Sequence, residues 1–438
     1  MTPMVVGLLG IMLFLILLAL KMPIAIAMAL SGFIGISIIL SINAAFRVLS
    51  SDLYTNFANY SLSVIPMFVL MGFFAFYAGM GSKLYDLAYK TIGHMRGGLA
   101  MSSELACAIF GAVCGSSTAT AATIGSIAIP EMKKYGYNDS LSTASVASGG
   151  ALGILIPPST IFVIYGVATE QSIARLFLAG IIPGALLTLF YMAAIWIVTV
   201  KNQELGPPGP DKPELGKILN SLRGGLFEVI IVFMLSIGGL FAGWFTPTEA
   251  GGVGAAGVLI VTCISRKMTW KGFTDALADT TRTSAMILFL IGGAVIFTRF
   301  MALSRLPFEL ASWVSALPFS PIVIMIFILI VYLILGTFIE MIPLILLTIP
   351  IFFPVVINVL GYDPIWFGVI IVMVVAMGVI TPPVGINVYV VKGVAKEVPL
   401  EIIFRGVWPF ILAAAVCIAL LIVFPEIATF LPDLLRKF

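Results

Sequence analysis

Oxygen-bearing side chains gather at two places in an otherwise apolar chain. The first is GAVCGSSTATAA at 111–122, with Ser116, Ser117, Thr118 and Thr120, followed by Gly149, Gly150 and Gly153 on the approach to Pro157-Pro158. The second is GTFIEMIP at 336–343, with Thr337 and Glu340, followed by Gly378, Thr381, Gly385 and Asn387 around Pro382-Pro383. Hydroxyls, carboxylates and free carbonyls are the hard ligands that an alkali cation needs when it sheds water in a membrane. Proline leaves a carbonyl one turn earlier without its helical donor, and glycine admits close backbone approach. Taken singly, each small residue equally suits close helix packing; the double occurrence favours a binding site.

Glu340 stands out because an ionisable group in a membrane segment costs about 2.5–3.5 kcal/mol on insertion scales and usually faces a cavity or a partner. It is a cation ligand, a proton site, or a structural partner of Arg299 or Arg305. Glu249, in FTPTEAGG, reads as an acid in the first turn of a helix capped at Thr246. Glu104 opens a hairpin and has no assignment. The four cysteines, Cys107, Cys114, Cys263 and Cys417, form no CxxC pair and read as small buried apolar residues. With His94 the only histidine, and with no nucleophile–base pair, zinc spacing, Walker loop or dinucleotide fingerprint, the chain reads as neither an enzyme nor an ATP-driven pump.

The elements that must position these residues repeat. Gly111, Gly136-Tyr137 and Pro157-Pro158 match Gly336, Gly361-Tyr362 and Pro382-Pro383 at a constant offset of 225 residues. Broken helices at equivalent places in two halves are the best sequence pointer to a transporter's binding site. The hydrophobic fraction of 61% and the charged fraction of 10% exclude an ordinary soluble domain. The mean hydropathy of +1.17 agrees, and apolar runs of spanning length imply an all-α polytopic membrane protein.

The first repeat, 1–200, contains spans near 4–20, 24–41 and 60–81, a re-entrant hairpin at about 98–130, a broken helix at about 140–168 and a span near 173–200. The tip at 111–122 is too rich in small polar residues for a helix interior facing lipid. A charged, Pro/Gly-rich linker covers 201–224. The second repeat, 225–438, has spans near 226–243, 249–265 and 284–302, a hairpin at about 321–358, a broken helix at about 365–391 and a last span near 404–425. Segments 42–57 and 268–283 read as interfacial amphipathic arms. Each half then crosses an odd number of times, so the repeats are expected to be inverted. On that topology 17 Lys and Arg fall on one side and 6 on the other. The excess places the linker in the cytoplasm and both termini outside, which in a bacterial inner membrane would be the periplasm. The net charge of +3 gives no reason to expect nucleic acid.

The stretches GAVCGSSTATAATIGSIAIPEMKKYGY, GGALGILIPPSTIFVIYG, FTPTEAGG and LTIPIFFPV through TPPVGINVYV resemble the large membrane subunit of the tripartite ATP-independent periplasmic (TRAP) transporters, the DctM-like family. The resemblance covers much of both halves. It implies an elevator-type, Na+-driven importer of an organic acid such as a C4-dicarboxylate or a sugar acid. It also implies a small four-helix DctQ-like subunit and a DctP-like periplasmic solute-binding protein as partners. Carried onto this chain, the family's Na+ sites fall on Ser116, Ser117, Thr120, Gly149, Gly150, Gly153, Thr337, Glu340, Gly378, Thr381, Gly385 and Asn387. The solute is expected against Ser116, Ser117, Thr118, Thr337 and Pro158. Glu340 departs from the family, which usually has an aspartate there. The competing readings are a carrier that works alone and a gated channel.

Overall fold

The computed structural model describes residues 2–209, 214, 216, 218 and 226–435, so most of the linker expected at 201–224 lies outside the described residues. Those described are helical throughout, joined by short turns. The first half contains α1 (Pro3–Ala19), α2 (Ile24–Ile39), α3 (Ile42–Phe57), α4 (Val64–Tyr77), α5 (Met80–Ile92), α6 (Gly98–Cys114), α7 (Ser117–Lys134), α8 (Asp139–Leu152), α9 (Thr160–Thr169) and α10 (Ile173–Lys201). The second half contains α11 (Leu226–Phe241), α12 (Pro247–Ile264), α13 (Trp270–Ser304), α14 (Leu306–Ser315), α15 (Pro321–Phe338), α16 (Met341–Pro354), α17 (Pro364–Gly378), α18 (Ile386–Val394), α19 (Leu400–Gly406), α20 (Trp408–Val423) and α21 (Glu426–Leu435). Seven helical segments among the described residues are long and apolar enough to span a bilayer. Exposed leucines, isoleucines and phenylalanines on α1, α15 and α20, such as Leu8, Phe327 and Leu412, supply an apolar surface suited to lipid.

Local chemistry explains the breaks. Gly115, at φ +64°, ends α6, and the Ser116 hydroxyl accepts the Ala119 amide to start α7. Both Pro-Pro peptides are cis, and the chain is non-helical from 153 to 159 and from 379 to 385. Local geometry matches at the 225-residue offset. Gly136 and Gly361 both adopt φ +75°, and the residues two further on, Asn138 and Asp363, both cap the following helix through a side-chain oxygen. A Cβ placed on Gly111 would lie 2.3 Å from the Gly153 Cα, and one on Gly378 would lie 2.9 Å from the Gly336 carbonyl carbon. In each half the outgoing arm of the hairpin therefore touches the helix before the cis proline backbone to backbone, at positions 225 apart.

Several expectations are corrected. The segment 268–283 is not a separate arm but the start of the 35-residue α13, because nothing between Asp279 and Met286 interrupts the helix. Only 42–57 forms a discrete arm, α3. The span expected to reach residue 81 stops at Tyr77, where Gly79 turns left-handed at φ +72°, and the amphipathic α5 follows. Helix resumes at Ser117, so the small-residue tip is non-helical only at Gly115-Ser116. Cys107 and Cys417 are buried, whereas Cys114 is half-buried and Cys263 is exposed. Glu249 forms the expected helix start: its carboxylate accepts from the Thr246 amide at 2.8 Å, completing a capping box.

Two packing groups surround the site. In the first, α2 and α4 pack on α13, and α4 also packs on α12. In the second, α6, α7, α8, α17 and α18 carry the broken segments. Asn387, fully buried at the start of α18, links the halves: the Ser117 hydroxyl donates to its Oδ1 at 2.9 Å, and its Nδ2 donates to the Ala147 carbonyl at 2.9 Å.

Candidate functional site

A cavity of about 450 Å³ lies where the two hairpin tips meet. Ser116, Ser117 and Thr118 border it from one tip and Glu340 from the other. It is also bordered by the first residues of four helices: Ser117 of α7, Thr160 of α9, Met341 of α16 and Ile386 of α18. Each helix start carries unpaired amides and about half a positive charge. No lysine, arginine or histidine borders the cavity among the described residues. Any attraction it exerts on an anion would therefore come from backbone ends.

Glu340 is the one carboxylate on this wall. It does not pair with Arg299, which binds Asp52 at 2.9 Å, or with Arg305, which lies over the Phe308 ring. No hydrogen bond or ion pair reaches its carboxylate among the described residues. In an anion-accepting cavity this charge is repulsive unless a cation neutralises it.

The oxygens expected to hold a cation divide into two groups. At the first tip, a Cβ on Gly153 would lie 2.8 Å from Thr120 Oγ1 and 3.1 Å from the Ser116 carbonyl. One on Gly150 would lie 3.0 Å from the Ser117 carbonyl. Thr120 Oγ1 is buried and has no hydrogen-bond partner among the described residues. This cradle of one orphan hydroxyl and two carbonyls, held open by glycines, has the hard donors and the room a small cation needs. At the second break, a Cβ on Gly385, at φ +60°, would lie 3.3 Å from the Thr381 carbonyl, and one on Gly378 would lie 3.1 Å from the Gly336 carbonyl. The hydroxyls of Thr337 and Thr381 donate one turn back, to Ile334 and Met377, so their lone pairs remain free to accept.

Three expected residues sit elsewhere. Gly149 faces Cys107 and Glu104, away from the tip. Thr337 and Pro158 do not border the cavity: Thr337 is buried on α15, and the Pro158 carbonyl backs Gly115 from behind. Sequence reasoning missed Thr160, whose hydroxyl donates to the Gly115 carbonyl at 3.0 Å, and Thr283, which enters from α13. The serine cap before Thr160 was a readable signal for a helix start; Thr283 had none, since only packing brings α13 to the tips.

A second cavity, of about 440 Å³, lies beyond the first. The two share a thin apolar partition. Ile161, Ile287 and Ile342 face the tip cavity, and Ile164, Ile291 and Leu346, one turn along the same helices, face the second. One turn is about 5 Å, so a single side-chain layer separates them.

Comparison with known proteins decides the family. Residues 11–427 match the model for the tripartite ATP-independent periplasmic transporter, DctM component. The chain belongs to the DctM family. It is 36% identical over 408 residues to the C4-dicarboxylate TRAP transporter large permease protein DctM of Pseudomonas aeruginosa, covering 93% of this chain and 94% of that protein. It is 33% identical over 411 residues to the sialic acid TRAP transporter large permease protein SiaM of Vibrio cholerae, covering 92% and 95%. The crystal structure of the YdaH transporter of Alcanivorax borkumensis shares the fold at a TM-score of 0.61 and 15% identity, covering 86% of this chain and 88% of that one. The DctM-family chain is thus a multi-pass TRAP large permease and not an enzyme.

Proposed function

We propose that this permease imports an organic acid together with Na+, the acid bound in the tip cavity and Na+ at the two oxygen-lined breaks. The observation that carries the reading is the convergence of four helix starts on one cavity that, among the described residues, has no basic side chain and one open carboxylate, Glu340. Charges about 4 Å apart interact by about 4 kcal/mol at an effective dielectric of about 20. A cation at Glu340 therefore turns a repulsive wall into a neutral one, and the anion and cation favour each other's binding. The cradle at Thr120 adds a second place for Na+ that is independent of that charge.

The solute is a C4-dicarboxylate or a sugar acid, as the names of the relatives suggest. The family relationship supports a small DctQ-like membrane subunit and a periplasmic binding protein as partners. The constant offset of 225 and the paired Gly–Gly contacts support two inverted repeats, at 1–200 and 225–438, with the linker cytoplasmic and both termini periplasmic. The hairpins and broken helices would move as an elevator against α2, α4, α12 and α13.

The test is uptake of labelled succinate and N-acetylneuraminate into proteoliposomes that hold the permease with its small subunit, supplied with the binding protein. A sodium gradient should drive accumulation of one acid. Accumulation unchanged when the gradient is dissipated would remove sodium coupling, and single-channel currents would replace the carrier with a channel.

A further inference from the structure

The second cavity contains the only basic side chain bordering either chamber among the described residues, Arg299 on α13. Its guanidinium holds Asp52 of α3 through two bonds, Nε to Oδ2 at 2.9 Å and an amino nitrogen to Oδ1 at 3.3 Å. Asp52 is nearly enclosed, with 14% of its side chain exposed, whereas Arg299 is 54% exposed and borders the cavity. The walls are of opposite character. Asn56, Asn59 and Thr298 extend the polar side around the ion pair, while Ile164, Leu346 and Ile349 make the facing side apolar.

We infer that this chamber is a second anion-binding subsite, in which Arg299 takes a carboxylate of the solute before it passes the isoleucine partition to the tip cavity. The inference rests on the proposed transport of an organic acid. Chemistry supports a transient site. An arginine fork matches a carboxylate bidentately, and a solute carboxylate that takes the fork of the half-exposed Arg299 leaves the enclosed Asp52 without its partner, a cost that limits how long the solute stays. Asp52 acts as a resident competitor: it occupies the fork when solute is absent and receives it back when solute moves on. In the proposed orientation the chamber lies on the periplasmic side, with Arg47, Arg175 and Arg305.

The relation between Arg299 and Asp52 gives a test by sign. A structural ion pair loses the same thing whichever partner is removed. A competitor and its fork give opposite results. The probe is a cysteine introduced as Thr55→Cys on the chamber wall, in the purified permease with its small subunit and with Cys263, which is exposed, and Cys114, which borders the tip cavity, both replaced. Its modification by a maleimide is followed as succinate or N-acetylneuraminate is added. Protection is expected with at least one acid. Asp52→Asn should lower the half-protecting concentration by about tenfold, Arg299→Gln should raise it by about tenfold or abolish protection, and Arg299→Lys should fall between, about 1.4 kcal/mol corresponding to each factor of ten. No protection by either acid, or shifts of the same sign for Asp52→Asn and Arg299→Gln, would overturn the inference. The opposite signs should persist in liposomes of zwitterionic lipid; a dependence on anionic lipid would assign the oxyanion to a headgroup and overturn it as well. Sodium-driven uptake by the unsubstituted protein is measured alongside. Its absence brings down the transport reading, whereas uptake without protection brings down only the second subsite.

Discussion

The two hairpin tips share a backbone and differ in chemistry. Both arms meet the pre-proline helix glycine to glycine, at Gly111–Gly153 and Gly336–Gly378, and both breaks end in a cis Pro-Pro pair. The first tip is furnished with uncharged hydroxyls at Ser116, Ser117, Thr118 and Thr120; the second places Glu340 between Thr337 and an apolar run. Positions 225 apart pair Ser117 with Ile342 and Thr120 with Ile345. The frame that opens the helix has been kept in duplicate, while the groups that fill the opening have been assigned to one copy each. On the proposed transport, polar groups in the first tip and charge in the second would divide the labour, with neutral oxygens selecting the ion and one carboxylate linking ion to solute.

The largest expected effect tests that division. Glu340→Gln should raise the sodium concentration for half-maximal uptake about a hundredfold, on the scale of a close charge pair of a few kcal/mol. Ser117→Ala should change it far less. Equal losses from both would mean that the tips share one role. Next comes the frame itself. Gly111→Ala drives a methyl group into Gly153 backbone and should lower stability by about 1–3 kcal/mol in thermal unfolding in detergent. Gly336→Ala should be nearly silent, since its Cβ meets nothing nearer than 3.6 Å. Comparable destabilisation at both positions would contradict the tighter contact described for the first half.

A smaller contrast separates Thr120 from Thr381. Removing either hydroxyl with valine should weaken sodium dependence by about three- to tenfold, about 1 kcal/mol for one ligand hydroxyl. Thr120→Val should leave thermal stability in sodium-free buffer unchanged or higher, because its buried hydroxyl has no partner to lose. Unchanged sodium dependence in both would remove these residues from the cation sites. The smallest effect lies outside the comparison, at the exposed Lys133–Glu397 pair, 3.0 Å apart. The Glu397 carboxyl is held below its ordinary value, first by its own backbone amide and then by Lys133. Its contribution is therefore present above the unfolded carboxyl range and lost as pH falls through the lower folded value. The Lys133 ammonium is raised, first by its hydrogen bond to Glu397 and then by that carboxylate's charge, so its contribution is lost only at strongly alkaline pH. Glu397→Gln should move the unfolding temperature within experimental scatter at neutral pH and high salt. A large shift there would show that the pair anchors α7 to the loop after α18.

What the sequence made legible were features with a local cause. The Pro-Pro breaks, the glycine-serine turn at 115–116 and the Thr246–Glu249 cap each follow from residues that sit next to one another. The contents of the cavity follow from residues far apart. Glu340 was legible as a costly charge, but its position on a different cavity from Arg299, which pairs with Asp52 247 positions away, was not. Thr337 and Pro158 lie off the tip cavity, Thr337 by its position around the α15 axis and Pro158 by the path of the broken segment, neither of which composition encodes. The continuity of α13 escaped because its polar opening and apolar remainder look like two elements, although no breaker divides them.

The four helix starts have a consequence for how such a permease changes its cargo. Peptide dipoles cannot be substituted away, so mutations lining the chamber leave the preference for a negative passenger in place while altering which shape is accepted. Diversification of diet within this lineage then needs no intermediate that has lost its grip on acids altogether.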